Sequence, residues 1–358
     1  MLDTNTFIKH LISNGYSHLC VVPCSFVKNL INASINYRAK IEYVACASEA
    51  VACSIAAGLK ISGKKPIVIV QSSGLTNMGS CITSLLKPYE INFPIIVSWR
   101  TYKEGDSEIQ HKHLASNLPN LVEAYGYKHA ILNKHDMNIA IKQIDECESM
   151  NQICFLEKET FSKVELLKEH KLDLSKYPKR SKYLKLLNNK YKDIDSVFIG
   201  TTGNTAREMY SFMPDTNNFY MAGNMGGALS VGLGVAKAGK KVVVCGGDAE
   251  FVMHMGGLTT AGRYAREIDL TYILFDNESN KSTGGQNTYQ RHLDYNQLAR
   301  FSGINASSDV INEIAGFNLA LNKNINEHGV RLVVVKCAHD DETPRPPIEV
   351  VKSLPAVY

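Results

Sequence analysis

Two apolar runs constrain this chain more than anything else in it. KVVVCG (241–246) and LTYILF (270–275) are each the length of a buried strand, and each stops at polar residues, the first at Asp248 and the second at Asp276-Asn277. Asn277 follows Asp248 by 29 residues (277 − 248), about one strand–helix–strand excursion with parallel strands. That spacing predicts that Asp248 and Asn277 face each other just past the carboxyl ends of neighbouring strands, where open α/β sheets bind ligands. A carboxylate and an amide oxygen form a hard ligand set suited to Mg²⁺ or Ca²⁺. Gly246, Gly247 and Ala249 leave room for a diphosphate to approach the backbone. The stretch reads as a metal–diphosphate anchor, although taken alone it also fits two ordinary strand-end polar residues.

The rest of the chain repeats the same alternation. Strands are expected at 18–22, 41–46, 66–71, 93–99, 128–132 and 153–157, with helices between them, including 3–14, 48–63 and 75–87. After a polar, Lys-rich stretch with no strand signal, strands resume at 196–200, 218–221, 241–246, 270–275 and 330–337. The intervening helices are expected at about 204–213, 226–238, 252–266, 294–301 and 309–322, followed by an irregular Pro-rich tail from Ala338. The fold class expected is α/β, with two doubly wound parallel-sheet domains and no third domain between them. Their expected bounds are 1–165 and 191–358, joined by a linker at 166–190.

Composition excludes several function classes. A net charge of +4 over 358 residues is too mild for a nucleic-acid binder. The most basic stretch, Lys176 to Lys192, has Tyr, Leu and Asn between its lysines and reads as a solvated face. Nine cysteines without a C-x-x-C pair, mostly in apolar surroundings, indicate reduced thiols rather than disulfides or a zinc site. The first residues lack the order of a signal peptide, and no apolar run approaches the ~20 residues that span a bilayer. A cytoplasmic protein without membrane or nucleic-acid partners is expected.

Further features bear on chemistry. GTTGNTARE (200–208) leaves a strand and opens a helix, so Gly203 and Thr205 could donate to phosphate oxygens or simply cap the helix. AGNMGGALSVGLGVA (222–236) flanks Met225 with glycines, among them Gly223, which is unusual for a plain core methionine. Glu49 starts a helix after the 41–46 strand, where an acid also suits the helix dipole. Arg100 ends a strand and carries a planar fork that can bind two oxygens of an anion at once. Ser25 and Lys28 lie at another strand–helix junction, and Gln110 and His111 follow Arg100 on its loop.

Together these segments resemble the thiamine-diphosphate-dependent enzymes. Nearly the whole chain, through VPCSFVKN (22–29), SEAVACSIAAG (48–58), QSSGLTNMGSCITSL (71–85), FPIIVSWR (93–100), EIQH (108–111), TTGNTARE and DNESNKSTGGQNT, is similar to the phosphonopyruvate decarboxylase family and its sulfopyruvate decarboxylase relatives. The resemblance implies a pyrimidine-binding domain followed by a diphosphate-binding domain. It assigns the metal, Mg²⁺, to Asp248, Asn277 and the Ser279 carbonyl. It assigns thiamine diphosphate to Gly203, Thr205, Gly223, Met225, Gly247, Asp248, Ala249, Glu250, Asn277 and Ser279, with Met225 as the apolar prop beneath a bent cofactor. Glu49 would be the activating acid and His111 a candidate proton donor. Ser25, Lys28, Arg100 and Gln110 would receive a small anionic 2-oxo acid. Implied too are non-oxidative decarboxylation of 3-phosphonopyruvate to phosphonoacetaldehyde in phosphonate biosynthesis, and a homo-oligomer, at least a dimer, with sites between chains. The alternatives are a sulfopyruvate decarboxylase or a non-catalytic subunit of the same fold. Cys24 and Ala249 depart from residues common in the family, and the Asp248–Asn277 spacing is slightly long. A nicotinamide enzyme is disfavoured because no G-x-G-x-x-G joins the first strand to its helix.

Overall fold

A computed structural model describes residues 1–101, 108–340 and 343–355. The chain divides into two compact units, Met1–Lys171 with Ser282–Asn287, and Leu172–Lys281 with Thr288–Tyr358.

The first unit contains a six-stranded parallel sheet in the order β2-β1-β3-β4-β6-β5. Its strands are β1 (His18–Val21), β2 (Glu42–Ala45), β3 (Pro66–Gln71), β4 (Ile95–Ser98), β5 (Lys128–Ile131) and β6 (Gln152–Leu156). Helices α1 (Thr4–Ser13), α2 (Lys28–Asn36), α3 (Glu49–Ile61), α4 (Ser72–Asn77), α5 (Lys112–Ala124) and α6 (Met137–Glu146) connect or flank them. Helix starts follow local chemistry. Asp3 accepts from the Thr6 N–H at 2.8 Å, and Asp136 accepts from Asn138 and Ile139. The central strands β3 and β4 are buried almost throughout, whereas β2 and β5 at the edges carry only exposed and half-buried positions. The helix expected over 75–87 is broken. It consists of α4, a turn at Gly79–Cys81 and a π-helical turn at Ile82–Leu86.

The second unit repeats this topology. Its strands are β7 (Val197–Gly200), β8 (Asn217–Tyr220), β9 (Val242–Gly247), β10 (Leu270–Asp276), β13 (Asn305–Ala306) and β14 (Val330–Lys336), all parallel, in the order β13-β14-β10-β9-β7-β8. Two-residue strands β11 (Ser279–Asn280) and β12 (Gln286–Asn287) lie in the segment after β10. Counted within each unit, both sheets read 2-1-3-4-6-5, a likeness no sequence repeat had suggested. In each, the first strand has its successors on opposite sides, which is the topological switch point of such sheets.

Helix α7 (Arg180–Tyr191) corrects the reading of this stretch as linker and solvated face. It is a helix whose Tyr183, Leu184, Leu187 and Tyr191 enter the second unit's core beside Phe198, Phe275 and Phe317. Lysines between these apolar residues had masked the stripe. Arg180 is itself buried and forks onto Glu208, with two bonds of 2.7 Å. The remaining helices are α8 (Asn204–Phe212), α9 (Ala228–Lys237), α10 (Asp248–Met253), α11 (Gly256–Arg263), α12 (Tyr295–Phe301), α13 (Ile314–Asn326) and α14 (Ile348–Lys352). The last gives the Pro-rich tail a short ordered element. No helix among the described residues is long and apolar enough to cross a membrane.

Candidate functional site

In the first unit, the exits of β1, β2, β3 and β4 carry all the residues singled out there. Glu49 is the first residue of α3, after β2, and is buried. Its Oε2 accepts from Asn77 Nδ2 at 2.9 Å, from the end of α4 after β3. Gly74 lets that helix approach so closely that a methyl group there would lie 2.6 and 2.7 Å from Glu49 Cγ and Cδ. Glu49 is therefore held by the neighbouring helix α4 rather than left as a solvated helix-end acid.

Beyond β4, the Arg100 guanidinium lies 4.5 Å from the Phe26 ring centroid. That ring belongs to the 3₁₀ turn Ser25–Val27, which leads directly into Lys28 at the start of α2. Arg100 and the Ser25–Lys28 junction are thus neighbours. Three side chains then meet at one atom. Arg100 Nη2, Gln110 Nε2 and His111 Nε2 each lie 3.1 Å from Glu108 Oε2. Arg100 and His111 are buried, and the Gln71 amide lies 3.3 Å from His111 Nδ1. Glu108 and Gln71 were missed from the sequence, although both lie inside quoted motifs, because neither motif shows which atoms converge. The segment Ser282–Asn287 also joins this unit. A methyl group at Gly284 would lie 2.8 Å from Lys28 Cγ. The fully buried Gln286 donates to Asn32 Oδ1 at 3.0 Å, while its Oε1 has no partner.

In the second unit, the exits of β7, β8, β9, β10 and β14 form the corresponding edge. Gly203 has φ +86° at the N-cap of α8, and Thr205, the second residue of that helix, is buried. Met225 is partly exposed rather than core. It sits between Asn224 (φ 56°) and Gly226 (φ 94°), two left-handed residues that turn the backbone around it. Gly223 lies on the same turn, partly exposed.

Asp248 is buried at the first position of α10, directly after Gly247. Its Oδ2 accepts from Thr288 Oγ1 at 2.9 Å. Burial, and then the Asp276 carboxylate, push its carboxyl up to about 7, against the opposing pull of the Thr288 hydroxyl. Asn277 Oδ1 accepts from the Ser279 N–H at 3.1 Å, and Ser279 Oγ is buried without a partner. A buried carboxylate, an amide oxygen and an orphaned hydroxyl fit a hard divalent cation.

Glu250, two residues after Asp248, is buried in α10. Its Oε2 is bonded by the Tyr272 hydroxyl and its Oε1 accepts from the Ala228 N–H at 3.2 Å, at the start of α9. Burial pushes it up to about 7. Both oxygens are committed to the fold of its own unit. Ala249, following Asp248, lies within the same helix and is partly buried.

Comparison with known proteins agrees with this geometry. Residues 4–118 match the thiamine pyrophosphate enzyme N-terminal TPP binding domain, and residues 199–335 match the C-terminal TPP binding domain. The chain is 30% identical to a phosphonopyruvate decarboxylase of Streptomyces hygroscopicus, over 86% of this chain and 80% of that protein. It is 28% identical to a phosphonopyruvate decarboxylase of Streptomyces viridochromogenes, over 86% and 81%. A sulfopyruvate decarboxylase of Methanosarcina acetivorans is 26% identical, over 85% and 83%. With both binding domains matched and about four fifths of each relative covered, the chain is a thiamine-diphosphate-dependent decarboxylase and belongs to the family that holds the phosphonopyruvate and sulfopyruvate decarboxylases.

Proposed function

We propose that this decarboxylase acts on 3-phosphonopyruvate, giving phosphonoacetaldehyde and CO₂ without net oxidation, with Mg²⁺ as the metal. The observation that carries the substrate is the convergence of Arg100, Gln110 and His111 on a single carboxylate oxygen. A guanidinium, an amide and an imidazole within 3.1 Å of one point form a receptor for an oxyanion. Lys28 and Ser25, linked to Arg100 through Phe26, add a second cation and a hydroxyl for the remaining oxygens of a phosphonate.

Thiamine diphosphate, when bound, supplies the carbon nucleophile and the electron sink for carboxylate loss. Asp248, Asn277 and the Ser279 carbonyl would hold Mg²⁺, and through it the diphosphate. Gly203 and Thr205 offer donors at the start of α8, and Met225 an apolar surface for the cofactor's rings. Glu49 holds or moves a proton at the ring nitrogen N1′ of the pyrimidine, with its carboxyl oriented by Asn77 and the close backbone at Gly74. In the reaction the bond between the carboxylate and keto carbons breaks, and a proton ends on the former keto carbon. His111 is the candidate to deliver that proton. Glu49 and the metal ligands belong to different units, and a homo-oligomer, at least a dimer, with sites between chains accommodates this. The biological setting that fits is phosphonate biosynthesis.

Sulfopyruvate, giving sulfoacetaldehyde, is the second reading, favoured by the likeness to the Methanosarcina acetivorans protein. The purified protein, supplied with thiamine diphosphate and Mg²⁺, should release CO₂ and aldehyde from 3-phosphonopyruvate with the higher kcat/KM. A higher value for sulfopyruvate would replace the substrate proposed here, and turnover of neither acid would reject both.

A further inference from the structure

The two halves of the proposed metal centre come from different strands. Asp248 follows β9 and opens α10, whereas Asn277 and Ser279 lie on the stretch that leaves β10. The second half is pinned from β14. Strand register sets Lys336 opposite Asp276. Its Nζ lies 2.7 Å from Asp276 Oδ2 and 2.8 Å from Glu278 Oε1, so one ammonium holds the residues on either side of Asn277. The Asp276 carboxylate also accepts from the Glu278 N–H at 3.1 Å, and Arg291 bonds the second Glu278 oxygen. Glu278 has a left-handed backbone, φ 52°, a conformation that persists in a glutamate where its surroundings hold it. Asp248 is joined to this stretch by Thr288. The Thr288 N–H donates to the Glu278 carbonyl at 3.0 Å, and its hydroxyl donates to Asp248 Oδ2 at 2.9 Å. Thr288 and Asp248 are both buried, so water competes little with either bond.

We infer that Thr288 is a positioning residue of the metal centre: its hydroxyl orients the Asp248 carboxylate while its N–H holds the stretch that carries Asn277 and Ser279, so the two ligand groups are set in register before a cation arrives. The inference rests on the metal-site reading above and deepens it. A small divalent cation demands short, nearly fixed distances to its oxygens, so ligands from two strands must agree in position and angle. Backbone pairing between β9 and β10 brings the strand ends together but leaves the Asp248 carboxylate free to turn about its own side-chain bonds. The Thr288 hydroxyl removes that freedom, and the Glu278 carbonyl ties Thr288 itself to the other half of the site. The hydroxyl also draws some electron density from the carboxylate, which opposes cation binding. Placement is the larger effect, because removing a hydrogen-bond partner of a ligating group costs metal affinity by about ten- to a hundredfold.

The experiment compares wild type with Thr288→Val, which keeps the side chain's shape, the backbone N–H and the charge of the site and removes only the hydroxyl. Mn²⁺ is the probe. The full-length protein, saturated with thiamine diphosphate and freed of metal by a chelator, is titrated with Mn²⁺, and free ion is read from its electron paramagnetic resonance signal, independently of turnover. The expected result is a Kd for Mn²⁺ about ten- to a hundredfold higher in T288V than in wild type. Thr288→Ser restores the hydroxyl and should recover most of that loss. Thr288→Ala, a second variant without the hydroxyl, should match T288V, and it decides the question if circular dichroism shows that T288V does not fold. An affinity in the hydroxyl-free variants equal to that of wild type would overturn the inference. Tighter binding would also overturn it, by showing that the hydroxyl competes with the cation. A T288S protein as weak as T288V would do the same, because the defect would then not belong to the hydroxyl. A wild type that binds no Mn²⁺ in the presence of thiamine diphosphate would remove the metal-site reading itself, and the inference with it. Equal binding by wild type and T288V would remove the inference alone.

Discussion

Replacing Arg180 with methionine tests how the second unit is tied together. Arg180 starts α7 and donates from Nε and Nη2 to both oxygens of Glu208 on α8, each at 2.7 Å. Both side chains are buried, at 6% and 4% exposure. Burial pushes the Glu208 carboxyl up, while the Arg180 charge pulls it back toward the ionised form. Burial also works against the Arg180 charge, and Glu208 outweighs it. Methionine fills much of the same volume but leaves Glu208 without its cation and with Asp340 as a carboxylate neighbour. Stranding one member of a buried pair costs about 3–5 kcal/mol, whereas replacing both with apolar groups is often neutral. R180M should therefore lose that amount in urea unfolding followed by circular dichroism, and R180M/E208L should regain most of it. The unpaired glutamate of R180M has a folded-state pKa above its unfolded value. The loss should then be greatest near neutral pH and shrink toward about pH 4, where protonation removes the stranded charge. A cost for R180M below about 1 kcal/mol, or a double variant no more stable than R180M, would refute the argument.

Three other outcomes follow from the site. Glu49→Gln should lower decarboxylation by about 10²–10⁴-fold while the protein still retains thiamine diphosphate on gel filtration; near-normal turnover would remove Glu49 from its proposed role. Gly74→Ala places a methyl group 2.6 Å from Glu49 Cγ, so it should reduce kcat at least about tenfold at a stability cost of about 1–3 kcal/mol, both readable from kinetics and thermal unfolding. Hydrogen bonding from the Cys53 thiol, helped by Ser54, draws the partly exposed Cys81 down to about 7 against the effect of burial. Iodoacetamide followed by peptide mass spectrometry should label Cys81 ahead of the buried thiols, with a rate that rises through about pH 7; equal labelling of Cys20 would contradict this.

The alternation of apolar strands with helices was enough to read two parallel α/β units, because strands covered on both faces leave continuous runs such as PIVIVQ and LTYILF. Strand ends were equally legible. The polar residues that stop each run, Glu49, Arg100, Asp248 and Asn277, sit where the run's direction places them, at the carboxyl edge of a sheet. Met225 was marked by its glycine neighbours, and the structure gives the reason in two left-handed backbone turns beside it.

What the sequence could not supply was which side chains meet. Helix α7 was hidden because lysines interrupt its apolar stripe, and only packing against Phe275 and Phe317 shows it to be core. Glu250 has the same neighbourhood in sequence as Asp248, yet Tyr272 and the Ala228 N–H take both its oxygens. Ser282–Asn287 lies in the second half of the chain but packs with the first unit, where Gln286 bonds to Asn32 across 254 residues of sequence. Glu108 was visible inside EIQH, but its meeting with Arg100, Gln110 and His111 depends on side-chain directions. By itself the sequence determined the two sheets, the edges that carry chemistry and the family, because backbone periodicity and strand ends are local properties. The tertiary structure decided which charges are paired, which are buried and which compete for one point, because those depend on atoms brought together from distant parts of the chain.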